Sequence, residues 1–155
     1  RRRRVNEAAG KGPTLKQRAV RLLARREHSR AELARKLEPH GGRQDIDVVL
    51  DDLERAGLLS DARFAEAYLR SHGDRLGAAK LRHALRGKGV DAGTVDAQIA
   101  AAGLPDEIER ARDVWARKFP APPADAREWG RQARFLQSRG FSADVIRRIL
   151  KQIED

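Results

Sequence analysis

Cysteine is absent from this chain of 155 residues. Without thiols the chain can form neither disulfide bonds nor thiolate metal sites, and it fits a reducing, cytoplasmic compartment. It also lacks an apolar run of about 18 residues, the length that a membrane-spanning helix requires. Residues that favour strands are scarce, because Val, Ile and Thr together number 16. We therefore expect an all-α, cytoplasmic protein with no contact to membranes.

Residue patterns typical of enzymes are missing as well. No two of the four histidines have the spacing of a HExxH zinc motif. Gly41-Gly42 lacks the Lys-Ser/Thr ending of a phosphate-binding loop. Asp51 and Asp52 are adjacent and so do not share one helical face. The sequence therefore predicts a protein that is not an enzyme and that holds neither a metal nor a cofactor.

The net charge of +10 is unevenly distributed along the chain. Residues 1–13 carry +4, whereas residues 14–60, 61–105 and 106–155 carry +2 each. Arg1–Arg4 and the glycines behind them cannot bury apolar area, so we expect residues 1–13 to form a basic disordered tail. Such a tail is either a solvated end or a contact for phosphates, and the sequence leaves both open.

Apolar residues at helical spacing predict about nine helices in the rest of the chain. They fall into three groups of three, over residues 14–60, 61–105 and 106–155. Pro120–Pro123 predicts an extended joint inside the third group. The predicted N-caps are Thr14, Ser29, Asp61, Asp125 and Ser142.

A basic residue, a glycine and an apolar residue occur twice, each time between two predicted helices. Lys88-Gly89-Val90 is the first copy and Arg139-Gly140-Phe141 is the second. Each glycine is expected to end a helix with a positive φ. A recurring helix, glycine stop and helix is typical of tandem repeats, which usually serve as binding surfaces. We therefore expect three tandem three-helix repeats that form an elongated curved array.

Four aromatic residues are expected in the core. Phe64 and Tyr68 share one apolar helical stripe. Trp115 and Trp129 lie on apolar faces of the third group, and an interface anchor is the alternative role for either tryptophan.

Several segments of the chain form a recognisable pattern. The segment Leu58–Tyr68, LLSDARFAEAY, and its continuation Gly77–Val90 resemble the central motif of the bacterial RecX family. Arg134–Leu136 and Arg139–Ser142 resemble the C-terminal signature of the family. The segment LKQRAVRLLARREHSRAELARKL, which begins at Leu15, resembles its first helices.

The resemblance covers most of residues 15–155 and leaves out Arg1–Arg4. It implies a tandem three-helix-repeat protein that binds the RecA filament on DNA. It further implies a regulator of DNA repair and recombination, which mainly inhibits RecA assembly, ATP hydrolysis and strand exchange. We expect a monomer, and the sequence leaves open whether it also contacts the phosphates of single-stranded or double-stranded DNA.

Exposed basic residues of the second and third repeats form the predicted partner-binding surface. They are Arg63, Arg70, Arg75, Lys80, Arg82, Arg86, Lys88, Arg131, Arg134 and Arg139. Such cations can pair with acidic side chains of RecA or with DNA phosphates. The alternative for each is a solvated cation on an Arg-rich helix.

A direct DNA-binding regulator is the alternative function. Ser29–Leu37 and Asp45–Leu53 flank a turn, as the two helices of a helix-turn-helix do. The second helix weighs against this function, because it would bring four aspartates towards DNA phosphates.

Overall fold

The computed structural model describes the backbone of residues 12–154 and the side chains of residues 12–151. Arg1–Arg4, in the predicted tail, lie outside the described residues, as does the side chain of Ile153, whose helical spacing from Ile149 predicts that it is buried. Over the described part the chain forms nine α-helices, one 3₁₀ helix over Glu38–His40 and no strand. The helices are α1 (Leu15–Arg25), α2 (Arg30–Leu37), α3 (Arg43–Arg55), α4 (Asp61–His72), α5 (Ala78–Gly87), α6 (Ala92–Ala101), α7 (Glu107–Lys118), α8 (Ala126–Ser138) and α9 (Ala143–Glu154).

Polar side chains start several helices as the sequence predicts. The Thr14 hydroxyl accepts a hydrogen bond of 3.1 Å from the Gln17 amide, and the Gln17 side chain accepts one of 2.9 Å from the Thr14 amide. Asp125 and Ser142 accept hydrogen bonds of 2.8 and 3.2 Å from amides three residues further on. Each such cap stabilises its helix by about 1 kcal/mol.

The expected N-cap role of Asp61 is wrong. α4 already includes Asp61, and the Ser60 hydroxyl accepts the capping hydrogen bond of 3.2 Å from the Arg63 amide. The Asp61 carboxylate instead accepts a hydrogen bond of 2.8 Å from the amide of Arg30, the first residue of α2. That contact satisfies an otherwise unpaired amide at the positive end of a helix. Asp61 therefore connects two helices that are distant in sequence.

Two compact units make up the described chain. The first contains the described residues up to Phe64 together with Lys88–Val90. In it α1, α2 and α3 pack around apolar side chains, and each fully buried leucine contributes about 2 kcal/mol. The buried residues of this core are Ala19, Leu33, Leu37, Ile46, Leu50, Leu53 and Leu59.

The second unit contains Ala65–Gly87 and the described residues from Asp91 onward. Trp115 and Trp129, which were expected in the core, pack against it from half-buried positions. Helices α7, α8 and α9 surround a core formed by Ala111, Val114, Leu136, Phe141, Val145, Ile146, Ile149 and Leu150.

The proline-containing joint between α7 and α8 is non-helical and bends at Pro120 and Ala121, and a buried glutamine anchors it. Gln132 is 2% exposed. Its side-chain oxygen accepts a hydrogen bond of 2.7 Å from the Trp115 indole, and its amino group donates one of 3.2 Å to the Ala121 carbonyl oxygen. Because both ends of the buried amide have partners, the joint is held at a defined place on α8.

The two basic-Gly-apolar segments have the predicted positive φ, +86° at Gly89 and +89° at Gly140. We call Lys88–Val90 the first glycine joint and Arg139–Phe141 the second glycine joint. In the first, the Ser29 hydroxyl donates a hydrogen bond of 2.7 Å to the Lys88 carbonyl oxygen. In the second, the Gly77 amide donates one of 2.7 Å to the Arg139 carbonyl oxygen. Each joint therefore packs against the residue that precedes a helix, α2 or α5.

Candidate functional site

Four of the ten predicted binding residues are engaged by their own neighbours. The ion pairs are Arg63 with Glu27 at 3.0 Å, Arg70 with Glu66 at 3.2 Å and Arg82 with Asp96 at 3.1 Å. Arg75 pairs with Asp74 at 4.0 Å and also donates a hydrogen bond of 2.7 Å to the Ser71 carbonyl oxygen. Exposed pairs of this kind contribute about 0 to 1 kcal/mol to stability, but they neutralise the charge that a partner would meet.

The carboxyl end of α8 brings together cations from α5, α7 and α8. Lys80 of α5 donates a hydrogen bond of 2.7 Å from Nζ to the Ser138 carbonyl oxygen. The guanidinium of Arg139 lies 5.1 Å from the centroid of the Phe135 ring, and Nζ of Lys118 lies 5.8 Å from the same centroid. The last carbonyl groups of a helix attract cations, because they have no partner within the helix.

A second ring extends this arrangement. Phe119 meets Phe135 edge to face, with 5.3 Å between the ring centroids. The Arg131 guanidinium lies 5.5 Å from the Phe119 centroid. A cation over a ring contributes about 0.5–1 kcal/mol at an exposed site. We call Lys80, Lys118, Arg131, Phe135 and Arg139 together the Phe135 surface.

Charge on the Phe135 surface is only partly neutralised. Arg131 pairs with Glu128 at 3.3 Å. Within the part of the chain that the structure describes, Lys80, Lys118 and Arg139 form no ion pair with a carboxylate. These three cations are therefore free of a carboxylate partner and can hold an anionic group, while the half-buried Phe135 ring, beside Lys118 and Arg139, offers a flat apolar contact.

The remaining predicted residues lie elsewhere. Arg134 lines a groove of about 510 Å³ between α8 and the start of α9, together with Trp129 and Arg147. Arg86 lies beside Asp96, and Lys88 is half-buried in the first unit. The structure therefore brings three of the ten predicted residues, Lys80, Arg131 and Arg139, into one surface.

Sequence reasoning missed Lys118 and Phe135. One signal was available, because Arg131 and Arg139 lie four residues before and four residues after Phe135 and so share its helical face. No such signal exists for Lys118, which the proline-containing joint separates from α8.

The described residues contain neither a candidate metal-binding cluster nor a membrane-spanning helix. Among its residues no group of three His, Asp or Glu side chains is placed to hold a metal ion. None of the described helices is long and apolar enough to cross a membrane.

Family models of three consecutive domains match the chain. They are described as the first, second and third three-helix domains of RecX, and they match residues 16–53, 60–97 and 105–150. The chain belongs to the RecX family. Its helices α1–α3, α4–α6 and α7–α9 correspond to three tandem three-helix domains, so the predicted all-α repeat fold and the resemblance to RecX are both confirmed. The domain limits given above from the sequence stay a prediction.

Relatives named "Regulatory protein RecX" are similar over nearly their whole length. The protein from Leptothrix cholodnii is 50% identical over 139 residues, which cover 89% of this chain and 88% of the relative. The protein from Chromobacterium violaceum is 42% identical over 143 residues, 92% of each chain. Both names describe regulatory proteins.

Solved RecX structures share the fold. The crystal structure of RecX from Lactobacillus salivarius gives a TM-score of 0.74 at 20% identity, covering 90% of this chain and 94% of that one. A second, described as the crystal structure of regulatory protein RecX, gives a TM-score of 0.74 at 21% identity, covering 89% of this chain and 71% of that one. At this level of identity the likeness concerns the fold alone.

Proposed function

We propose that the chain binds the RecA filament formed on DNA and restrains its assembly and its ATP-driven activities. Membership of the RecX family and the regulatory names of the relatives support this function. The observation that carries it is the Phe135 surface, in which the fold collects free cations around an aromatic ring.

The proposed mechanism is binding without a chemical step. Arginine and aromatic side chains are enriched at the centres of protein interfaces, because they combine apolar area with directed hydrogen bonds. Cations that have no carboxylate partner within the described chain can pair with acidic side chains of the filament. Such attraction speeds association and weakens as the salt concentration rises. A protein that occupies the filament in this way opposes the addition of further subunits.

ATP hydrolysis by RecA on single-stranded DNA tests the function. We expect the protein to inhibit hydrolysis at stoichiometric concentration. Unchanged hydrolysis at a large excess of the protein contradicts the proposed function. Tight binding to one duplex sequence in the absence of RecA would instead favour the helix-turn-helix alternative. The five carboxylates of α3 weigh against that alternative, because DNA phosphates repel them. Arg30 neutralises only part of this charge, pairing with Asp51 and Glu54 at 2.8 and 3.1 Å.

A matched pair of triple variants tests the surface. Replacing Lys80, Lys118 and Arg139 by Gln removes the three free charges, and we expect the concentration for half-maximal inhibition to rise about tenfold, or about 1.4 kcal/mol. The control replaces Arg55, Arg70 and Arg148 by Gln. Each of these is exposed and paired with an acid three or four residues away in its own helix. Equal inhibition by the two triple variants contradicts the assignment of the Phe135 surface.

A further inference from the structure

Helix α1 carries cations and no acidic residue. Its sequence, LKQRAVRLLAR, contains Lys16, Arg18, Arg21 and Arg25. The first helices of the other two domains mix both signs, since α4 contains two acidic residues and α7 contains three. An exclusively basic first helix is therefore a property of the first domain and not of the repeat.

Three of the four cations of α1 line a groove in the first compact unit. Arg18, Arg21 and Arg25 line it together with Leu22 of the same helix and with Pro13, Lys36 and His40. The groove has a volume of about 400 Å³, and no acidic side chain lines it among the described residues. We call it the α1 groove.

The charges of the α1 groove are not neutralised within the described structure. There the guanidinium groups of Arg18, Arg21 and Arg25 take part in no ion pair and no side-chain hydrogen bond. Other arginines of the same unit are paired, Arg26 with Glu32 at 2.6 Å and Arg30 with Asp51 at 2.8 Å. The acids that pair with these two arginines therefore neutralise charge outside the groove.

This arrangement does not stabilise the fold. Arginines three and four residues apart repel each other by about 0.2–0.5 kcal/mol per pair. Arg18 also lies in the first turn of α1, where the helix dipole disfavours a cation. A surface that opposes local stability without a compensating contact is typical of a binding site.

We propose that the α1 groove binds the sugar-phosphate backbone of a nucleic acid. At a rise of 1.5 Å per residue, Arg18 to Arg25 span about 10 Å, which matches about three successive phosphates of one strand. The lining contains no Phe, Tyr or Trp, and among the described residues only Pro13 and Leu22 add apolar side chains to those of the cations, which favours phosphates over the anchor residue of a protein partner. Recognition through phosphates is independent of base sequence. This site goes beyond the proposed function, because it lies on a different domain and requires no RecA.

Binding of fluorescent oligonucleotides in the absence of RecA tests the proposal. The variant replaces Arg18, Arg21 and Arg25 by Gln, which keeps helix propensity. The control is the triple Arg55, Arg70 and Arg148 variant, which loses the same three charges. At about 0.1 M salt we expect the Kd of the α1 variant to rise about tenfold, while the Kd of the control stays within about twofold of wild type. The slope of log Kd against log salt concentration should fall by about 2 to 3 in the α1 variant alone.

Three outcomes overturn the proposal. Equal weakening of both triple variants would show an effect of net charge and no defined site. Displacement of the oligonucleotide by poly-glutamate at equal charge concentration would assign the groove to acidic protein segments. Circular dichroism checks that the variants fold. If the triple variant does not fold, the single Arg21→Gln variant should still lower the salt slope by about 1, and an unchanged slope overturns the proposal.

Discussion

The first and second glycine joints use the same backbone geometry in different surroundings. Both glycines have φ close to +90°, and in both joints the carbonyl oxygen of the preceding basic residue accepts a hydrogen bond from the start of a helix. Lys88 of the first joint is half-buried, whereas Arg139 of the second is exposed and lies over the Phe135 ring. The repeat thus determines the backbone of the joint, while the neighbouring side chains determine whether it carries a binding surface.

The largest expected effect is the loss of stability on replacing Gly140 by Ala. A Cβ at Gly140 would lie 2.7 Å from the backbone nitrogen of Lys80 and would also meet the Lys80 Cβ. The Lys80 backbone cannot move aside as the end of a side chain can. In addition, alanine adopts a positive φ at a cost of about 1–2 kcal/mol. We expect the free energy of unfolding in urea to fall by about 3–5 kcal/mol.

Gly89→Ala is the corresponding substitution in the first glycine joint. Its Cβ would meet the Ala31 methyl at 2.5 Å and would approach no backbone atom closer than 3.9 Å. We expect a smaller loss, about 2–3 kcal/mol, because a single methyl must shift. Gly87→Ala is the control, since Gly87 has no atom within 4 Å of the added Cβ. Equal losses at Gly140 and Gly89 would contradict the distinction between the joints.

The next largest expected loss of stability follows from replacing Ser29, whose hydroxyl donates a hydrogen bond to the first glycine joint. Ser29 is fully buried, and its hydroxyl both caps α2 and donates to the Lys88 carbonyl oxygen. We expect Ser29→Ala to lower the free energy of unfolding by about 2 kcal/mol, because it removes a cap and leaves a carbonyl group without its partner.

Thr14→Ala is the matched control for Ser29→Ala. Thr14 caps α1 in the same way but is exposed and makes no contact with a glycine joint. Its replacement should cost about 1 kcal/mol. If the two replacements cost the same in urea unfolding, the hydrogen bond to Lys88 does not stabilise the joint.

Features that depend on a few neighbouring residues could be predicted from the sequence. The caps at Thr14, Asp125 and Ser142 and the positive φ of Gly89 and Gly140 all follow from residues within three or four positions. The helical repeat follows for the same reason, because apolar spacing within each helix determines which face is buried.

The candidate site could be predicted only in part, because its contacts join distant residues. Lys80 donates a hydrogen bond to the carbonyl oxygen of Ser138, 58 residues further along the sequence, and Arg63 pairs with Glu27, which lies 36 residues before it. Spacing along one chain does not show such pairs. The burial of aromatics was similarly difficult, since Phe64 is buried while Tyr68, on the same stripe, is half-buried.

The smallest expected effect is a pH dependence of stability. It comes from His28, which precedes Ser29, the donor of the hydrogen bond to the first glycine joint. His28 is 1% exposed, with Nδ1 3.0 Å from the Arg26 carbonyl oxygen and Nε2 3.1 Å from Nζ of Lys36. These partners fit a neutral ring in which Nδ1 donates and Nε2 accepts. Burial, and then the charges of Arg26 and Lys36, lower the pKa of His28 from its ordinary value of 6.5, although the Arg26 carbonyl and Glu32 oppose the shift.

The sign of the pH effect follows from this lowered pKa. Below about pH 6.5 the unfolded chain protonates His28 while the folded chain resists, so the free energy of unfolding falls as the pH falls, by at most about 1.4 kcal/mol per pH unit. The pKa values of Glu32 and Asp91 are also lowered, but those groups act only below their ordinary values of 4.5 and 3.8. Thermal unfolding between pH 7 and pH 5 therefore isolates His28 from both carboxylates. We expect the Tm of the wild type to fall more steeply over this range than that of His28→Gln. Parallel curves of Tm against pH for the two proteins would show that protonation of His28 does not affect stability.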